Sequence, residues 1–345
     1  MKPLITALVD TYNHERYIEQ ALVSVLEQGL SPAELEIVVV DDGSTDQTPS
    51  IIQKFVPRVK HVRKKNGGQA SAFNAGFAEA RGEIVAFLDG DDWWAKEKLL
   101  TVADALEREP AVAAVGHGHY EFHEKTNETR LLVPQRPALI SMADREATRV
   151  AARERRFLLP SALTVRRKVL EWIMPIPEEM VFIADVPLQA AALVMGTLIL
   201  DQPLFYYRYH AQNLYSIDPK DDAKLCRKYE MTELVCERLY RRLVELGVPE
   251  ESVSEFLGSV WVEAKRFRLG RFGGSRQDAF RTEMEAFRAA PLNPSVGYRL
   301  FRYLTLGAAL LLPARSFYKI RNWYAEKNLG RYRDRLFKAN VTGSD

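Results

Sequence analysis

Short apolar runs, each closed by a polar turn and followed by helical periodicity, recur three times near the start of the chain. Leu4 to Val9 is the first run. It leads into Asp10-Thr11-Tyr12-Asn13 and then apolar positions Tyr17, Ile18, Ala21, Leu22, Val25 and Leu26, whose spacing predicts an amphipathic helix. The second run, Glu36 to Val40, is rich in β-branched residues and ends in Asp41-Asp42-Gly43-Ser44-Thr45-Asp46. Gly43 suits a turn, and Ser44, Thr45 or Asp46 can cap a helix through Ile51, Ile52 and Phe55. The third, Ile84 to Leu88, runs directly into Asp89-Gly90-Asp91-Asp92-Trp93. Strand and helix in alternation predict an α/β fold with a mostly parallel sheet covered by helices. All the turns after such strands share one rim, where open α/β sheets bind ligands.

Asp89, Asp91 and Asp92 lie within four residues of one another. Carboxylates that close repel unless a cation sits among them. A hard divalent ion such as Mg²⁺ takes oxygen ligands, usually one or two carboxylates together with substrate phosphates. The plainer reading is a solvated acidic turn with Asp92 as the N-cap of a following helix. A second acidic turn, at Asp41-Asp42, favours the metal–phosphate reading, because both turns can converge on the same rim.

From residue 4 to about residue 115 the chain resembles the nucleotide-sugar-binding half of a family 2 glycosyltransferase of the GT-A fold. The matching features are Tyr12-Asn13 with Tyr17-Ile18, Ser24 and Gln28, Val40 to Asp46, Asn66-Gly67-Gly68-Gln69 through Asn74-Ala75-Gly76, and Gly82-Glu83-Ile84 running into Leu88-Asp89-Gly90-Asp91-Asp92. The resemblance implies that Asp42 reads the nucleobase, with Asp41 supporting it or the ribose. Asp89 and Asp91 form an Asp-X-Asp pair, Asp89 toward the ribose and Asp91 on a Mg²⁺ or Mn²⁺ ion. Thr11, Asn13, Asn66, Gly67, Gln69, Asn74 and Gly90 belong to the expected donor-binding set. Many relatives carry Arg before the Asn matched by Asn74, whereas this chain has Phe73, which removes one contact to the donor.

A transferase needs a base for the acceptor hydroxyl. The resemblance assigns it to Asp185, in Phe182-Ile183-Ala184-Asp185, where the family reads Glu-Asp and Ala184 replaces the Glu. Asp185 also opens a helical pattern through Leu188, Ala191, Ala192 and Met195, so a role at the helix N-terminus is the alternative. Further on, Tyr207-Arg208-Tyr209-His210-Ala211-Gln212-Asn213 resembles the closing Tyr-Arg-X-His-X-X-Asn segment of the family. Arg208 is then expected at the diphosphate and His210 at the diphosphate or the metal. His117, His119 and His123 share one face of a strand and are expected on a solvated or acceptor-facing surface.

Composition leaves this picture intact: 47% hydrophobic and 27% charged is an ordinary globular balance. Cys226 and Cys236 make no disulfide framework or zinc spacing, which suits a cytoplasmic setting, and the chain enters a strand at once without a signal-peptide pattern. The net charge of +2 conceals an asymmetry. Residues 291–345 hold ten Lys or Arg against three acids, a net +7, so residues 1–290 carry −5. The same tail contains the apolar stretch Tyr303 to Pro313 and then Phe317, Tyr318, Trp323 and Tyr324. That stretch is too short to span a bilayer, and its basic and aromatic surroundings suggest an anionic membrane surface at the inner face of the cell membrane. Packing on the protein itself or on a second copy in a homodimer is the alternative. No nucleic-acid motif accompanies the basic tail.

The expected organisation is a catalytic domain over 1–215 (nucleotide-sugar binding over 1–115, acceptor side over 116–215), a helical region over 216–290 and a basic tail over 291–345. Helices are expected up to Gly247, from Val253 to Leu269 and from Ala279 to Phe287, with a break at Gly270 to Gly274. The expected activity is inverting transfer of a sugar from a nucleoside diphosphate sugar, UDP favoured, to a glycan or lipid-linked hydroxyl in bacterial surface polysaccharide synthesis. One sugar is added per encounter, since no Gln-X-X-Arg-Trp segment is present. Two other classes remain: a sugar-nucleotide nucleotidyltransferase, which would need a Gly-rich basic loop after the first strand, and a non-catalytic nucleotide-sugar-binding protein, which would need no base. A dinucleotide-binding dehydrogenase is excluded, since no G-x-G-x-x-G follows the first strand.

Overall fold

The computed structural model describes residues 4–178, 184–211, 213, 222–289 and 296–323. The chain divides into two compact units, Met1–Asp221 with Glu237–Phe256, and Asp222–Cys236 with Leu257–Asp345.

The first unit is built on a mixed sheet of strands β1 (Ile5–Thr11), β2 (Leu35–Asp41), β3 (Lys60–Arg63), β4 (Ile84–Asp89), β5 (Trp93–Trp94), β6 (Ala114–His123), β7 (Glu128–Leu132), β8 (Ala138–Ile140), β9 (Thr164–Arg166) and β10 (Thr197–Tyr209). The order is β3-β2-β1-β4-β9-β6-β10-β5, with β7 on β6 and β8 on β10. Strands β1 to β4 run parallel, β9 is antiparallel to both β4 and β6, and β6 is parallel to β10. Ala7, Leu8 and Val9 of β1 have no exposure at all. A central parallel strand is covered on both faces, which is why β1, β2 and β4 carry the consecutive apolar stretches Ala7–Val9, Ile37–Val40 and Ile84–Leu88 rather than an alternating pattern. Helix α1 (Ile18–Leu26) buries Ile18, Ala21, Leu22 and Val25 against Ile5, Val9, Ile37 and Val39 on one face of the sheet. Val38 and Val40 point the other way, onto Ala72 of α3 (Gln69–Glu79).

The three expected strand–turn–helix units are present, with α2 (Thr48–Gln53) after β2 and α4 (Lys98–Arg108) after β4. Two features differ from the sequence reading. Strand β5 intervenes before α4, so Asp92 does not cap a helix. The edge strand β3 with α3 forms a further unit. Its Lys-His-Val-Arg sequence, partly exposed at the sheet edge, carries no apolar run to betray it.

Register explains how the acids meet. Asp10 is level with Asp89 across β1 and β4, and Thr11 is level with Asp41 across β1 and β2. Side chains level on neighbouring parallel strands point to the same face, and the strands lie about 4.8 Å apart. The expectation for the histidines of β6 is corrected. His117 is fully buried and His119 is 2% exposed, packed against Phe205 of β10 rather than solvated.

After α5 (Arg145–Glu154), α6 (Arg167–Leu170) and α7 (Asp185–Val194) come the long helices α8 (Asp222–Glu245) and α9 (Glu250–Phe272). The second unit continues with α10 (Arg276–Ala289), α11 (Val296–Leu311) and a last helix α12 (314–323). Its core gathers Leu269, Ala279, Ala309, Ala314, Phe317 and Tyr318. Tyr324 and the cations from Lys327 onward lie outside the described residues. Among the described residues, no helix is long and apolar enough to cross a membrane.

Candidate active site

The rim where β1, β2 and β4 end opens into a cleft of about 320 Å³. Asp10, Thr11, Tyr12 and His14 line it after β1, and Asp42, Asn66, Gly68 and Gln69 line it beyond β2 and at the start of α3. Asp89 and Asp91 form its floor, and Leu159, Pro160, Asp185, Tyr207 and Asn213 complete the lining.

Asp42 is anchored by three donors. Lys64 Nζ lies 2.7 Å from Oδ1, and the backbone N–H groups of Gly67 and Gly68 donate to the carboxylate at 3.0 and 2.7 Å. Gly68 reaches it with φ +84°, a conformation other residues adopt only under strain. The Asn66-Gly67-Gly68 turn therefore shapes the cleft by fixing Asp42. Asp41 is fully buried behind it, accepting the Ser44 N–H at 2.8 Å and facing Arg63 Nε at 3.3 Å. Asn13 does not line the cleft. It accepts the Thr45 N–H, and its own N–H donates to Ser44 Oγ, so it ties the turn after β1 to the turn after β2.

The floor is an acid cluster braced from outside. Gln69 Nε2 donates to Asp89 at 2.9 Å and approaches Asp10 at 3.5 Å. Burial, and then Asp91, pushes the Asp10 carboxyl up to about 7, and burial and Asp10 raise Asp89 well above the usual carboxylate range. Two carboxylates level on neighbouring strands do not both ionise in such a place. Asp92 points away from the cleft, accepting from Ser161 Oγ at 2.7 Å and from the Arg208 N–H at 2.9 Å. Gly90 carries the chain between these acids. A Cβ there would lie 2.7 Å from Thr11 Oγ1 and 2.9 Å from the Asp10 carbonyl, so only glycine lets the two turns approach.

Asp91 is different. Burial works against its charge, but His14 and His210 outweigh that and hold its carboxyl below the usual range. His210 Nε2 is 3.0 Å from Oδ2, Asn213 Nδ2 donates to the same oxygen at 3.3 Å, and His14 Nε2 stands 3.9 Å away. Burial keeps His14 toward its neutral form, with Nδ1 3.2 Å from Thr11 Oγ1.

Arg208 does not reach the cleft. Its guanidinium donates to Gln20 and to the Asp91 carbonyl, and it lies over Trp93 at 4.4 Å and Tyr17 at 4.9 Å. Asn74 likewise faces elsewhere, exchanging two 2.7 Å hydrogen bonds with the Ile176 backbone. Asp185, the first residue of α7, opens on the cleft and accepts from Gln189 Nε2 at 3.0 Å. Sequence reasoning did not single out Asp10, His14, Tyr207, Asn213 or the Leu159-Pro160 wall as site residues. Asp10 and His14 flank the Thr11 to Asn13 motif, and Asn213 closes the second motif, whereas Leu159-Pro160 carries no sequence signal.

The donor set suits a hard divalent cation. Asp10 Oδ1 and Gln69 Oε1 are buried without a hydrogen-bond partner, beside more carboxylate than such a volume tolerates. Among the described residues, no three His, Cys, Asp or Glu side chains form a ready-made metal cage. An ion there would take Asp91 and one neighbour, with a ligand's phosphates completing its shell.

A mixed sheet of this order with acids at the ends of its first strands is a GT-A-type architecture. Residues 6–173 match the sequence model of Glycosyl transferase family 2. The uncharacterized glycosyltransferase alr2836 of Nostoc sp. is 34% identical over 241 residues, covering 66% of this chain and 73% of that protein. The uncharacterized glycosyltransferase EpsJ of Bacillus subtilis is 30% identical over 242 residues, covering 67% and 69%. Residues 1–349 of Staphylococcus aureus TarS share the fold, with a TM-score of 0.58 at 19% identity over 88% of this chain and 90% of that one. This chain belongs to glycosyltransferase family 2.

Proposed function

We propose that this glycosyltransferase moves a sugar, with inversion, from a UDP-sugar to a hydroxyl of a glycan or lipid-linked acceptor in surface polysaccharide synthesis. The observation that carries the reading is that the Asp185 carboxylate opens on the same cleft as Asp42, Asp89 and Asp91. A base and an acidic floor suited to a cation-bound diphosphate then share a space that a nucleoside diphosphate sugar can enter. In this reading the Asp42 turn receives the nucleobase, Thr11 and Asp89 the ribose side, and Asp91 with His210 the Mg²⁺ or Mn²⁺ ion. Bound there, the ion would neutralise the departing diphosphate. Asp185 takes the proton from the acceptor hydroxyl, which attacks the anomeric carbon in line. Gln189 holds Asp185 at the mouth of the cleft, and the Asp10–Gln69–Asp89 contacts keep the floor in register for the donor.

Relatives support the donor and the setting. TarS of S. aureus, 39% identical over 106 residues that span 30% of this chain and 18% of that protein, is a poly(ribitol-phosphate) β-N-acetylglucosaminyltransferase. Its structure has been solved with UDP-GlcNAc. TuaG of B. subtilis, 37% identical over 121 residues, is a putative teichuronic acid biosynthesis glycosyltransferase. A cytoplasmic enzyme at the inner face of the membrane fits such work.

Asp185→Asn tests the assignment. The variant should bind UDP-sugar as the wild type does, and its slow donor hydrolysis should fall by about 10²–10⁴-fold. Undiminished hydrolysis in the variant would contradict the role of Asp185. Binding without any hydrolysis in the wild type would favour a non-catalytic nucleotide-sugar-binding protein.

A further inference from the structure

Helix α11 has two faces of the same chemistry and only one is covered. Ala308, Ala309 and Leu312 pack into the core of the second unit with Leu269, Ala279 and Phe317. On the opposite side Tyr303 is 62% exposed, Leu304 64%, Leu310 48% and Leu311 74%. Their spacing of one, seven and eight residues sets them along one stripe. On α12, Ile320 and Trp323 are 56% and 55% exposed. Large apolar side chains exposed singly are ordinary, but six within 21 residues make a surface that calls for an occupant.

Charge selects the occupant. From Ala286 to Ala325 the sequence has no Asp or Glu and six cations, of which Arg302 lies over Phe287 and Arg321 faces Glu283, while Arg288, Arg299, Arg315 and Lys319 are the others. Arg315 and Lys319 are exposed on α12. A second copy docked face to face would bring two cationic segments together. Residues 324–345 carry five cations against three acids, so that segment has the same sign as the face. An anionic lipid surface complements both the apolar stripe and the charge. Tyr and Trp are the side chains that settle at headgroup level. At 16 residues α11 is about 24 Å long, short of the ~30 Å of a bilayer core, so it would lie along the surface.

We propose that the outer faces of α11 and α12 dock on an anionic lipid surface. Where this brings a lipid-linked acceptor to the enzyme, the link rests on the function proposed above.

Flotation of the full chain with vesicles tests the surface. The protein should float with phosphatidylcholine vesicles containing about 30% phosphatidylglycerol, stay behind with phosphatidylcholine alone, and be released by about 0.5 M salt. Leu304→Asp with Leu311→Asp should lower binding to the anionic vesicles by about tenfold or more, with thermal melting unchanged because both side chains are exposed. Equal behaviour on both vesicle types, or undiminished binding of the double variant, overturns the proposal. So does a wild-type dimer in sedimentation that the double variant converts to monomer, which would give the face to a second copy. UDP-sugar binding measured on the same samples keeps the two readings apart. Lost flotation with intact donor binding overturns the lipid surface alone, and intact flotation without donor binding overturns the donor site alone.

Discussion

Asp42, Asp91 and Asp185 stand where sequence reasoning could find them, at acidic positions beside apolar runs or at the start of a helical pattern. Their partners were not legible there, because partnership follows from register and from long-range contacts. Asp10 closes the first run as one acid among many, and only the register of β1 with β4 reveals that it lies beside Asp89. His117 and His119 show the reverse failure, since their spacing fixed a common face of β6 but not which face was buried. A testable consequence follows for His119. Burial, and then Arg156, lowers it from 6.5 to about 4. Between those values the unfolded chain takes a proton that the native state refuses. Stability should therefore fall as pH drops from 6.5 toward about 4 and level off below, by about 3 kcal/mol in all. Urea denaturation from about pH 4.5 to 7 should show a shallower decline for His119→Gln. An unchanged slope would mean that His119 is not held neutral.

Ser24 and Gln28 belong to the motif that marks the family resemblance, yet neither approaches the cleft. Ser24 Oγ accepts the Trp94 N–H at 3.0 Å. Gln28 donates to the Ser24 and Ala95 carbonyls and accepts the Leu99 N–H, each at 2.9 Å. Helix α1 thereby grips β5 and the start of α4, the two elements that follow the acidic turn. Ser24 and Gln28 are legible as a motif by their spacing, while their purpose appears only once β5 is seen pairing with β10. Strand β3 escaped detection for a related reason, since an edge strand of polar and half-exposed residues has no apolar run. Gln28→Ala should strip the Ala95 carbonyl and the Leu99 N–H of their partner and cost about 2–4 kcal/mol in urea denaturation. It should also weaken donor binding, because Asp91 lies in the turn that α1 secures. A cost below about 0.5 kcal/mol would contradict that role.

On the scale of the whole molecule, the alternating half of the chain was legible as a parallel-type sheet with its turns on one rim. The helical half was legible as helices, and Gly247 and Gly273 stand with positive φ just beyond the ends of α8 and α9. Which face of α11 would be covered was not legible, because both faces are apolar. The rim is where a nucleoside diphosphate sugar and a divalent cation are proposed to meet. The most direct measurement is a thermal-shift titration of the full chain with UDP-, GDP-, dTDP- and CMP-sugars, each with Mn²⁺ and with chelator. A UDP-sugar should raise the midpoint with Mn²⁺, chelator should remove most of the shift, and Asp91→Asn should abolish the dependence on metal. A folded protein that no nucleotide sugar stabilises, or a shift equal with and without metal in both proteins, would contradict a metal-dependent donor site.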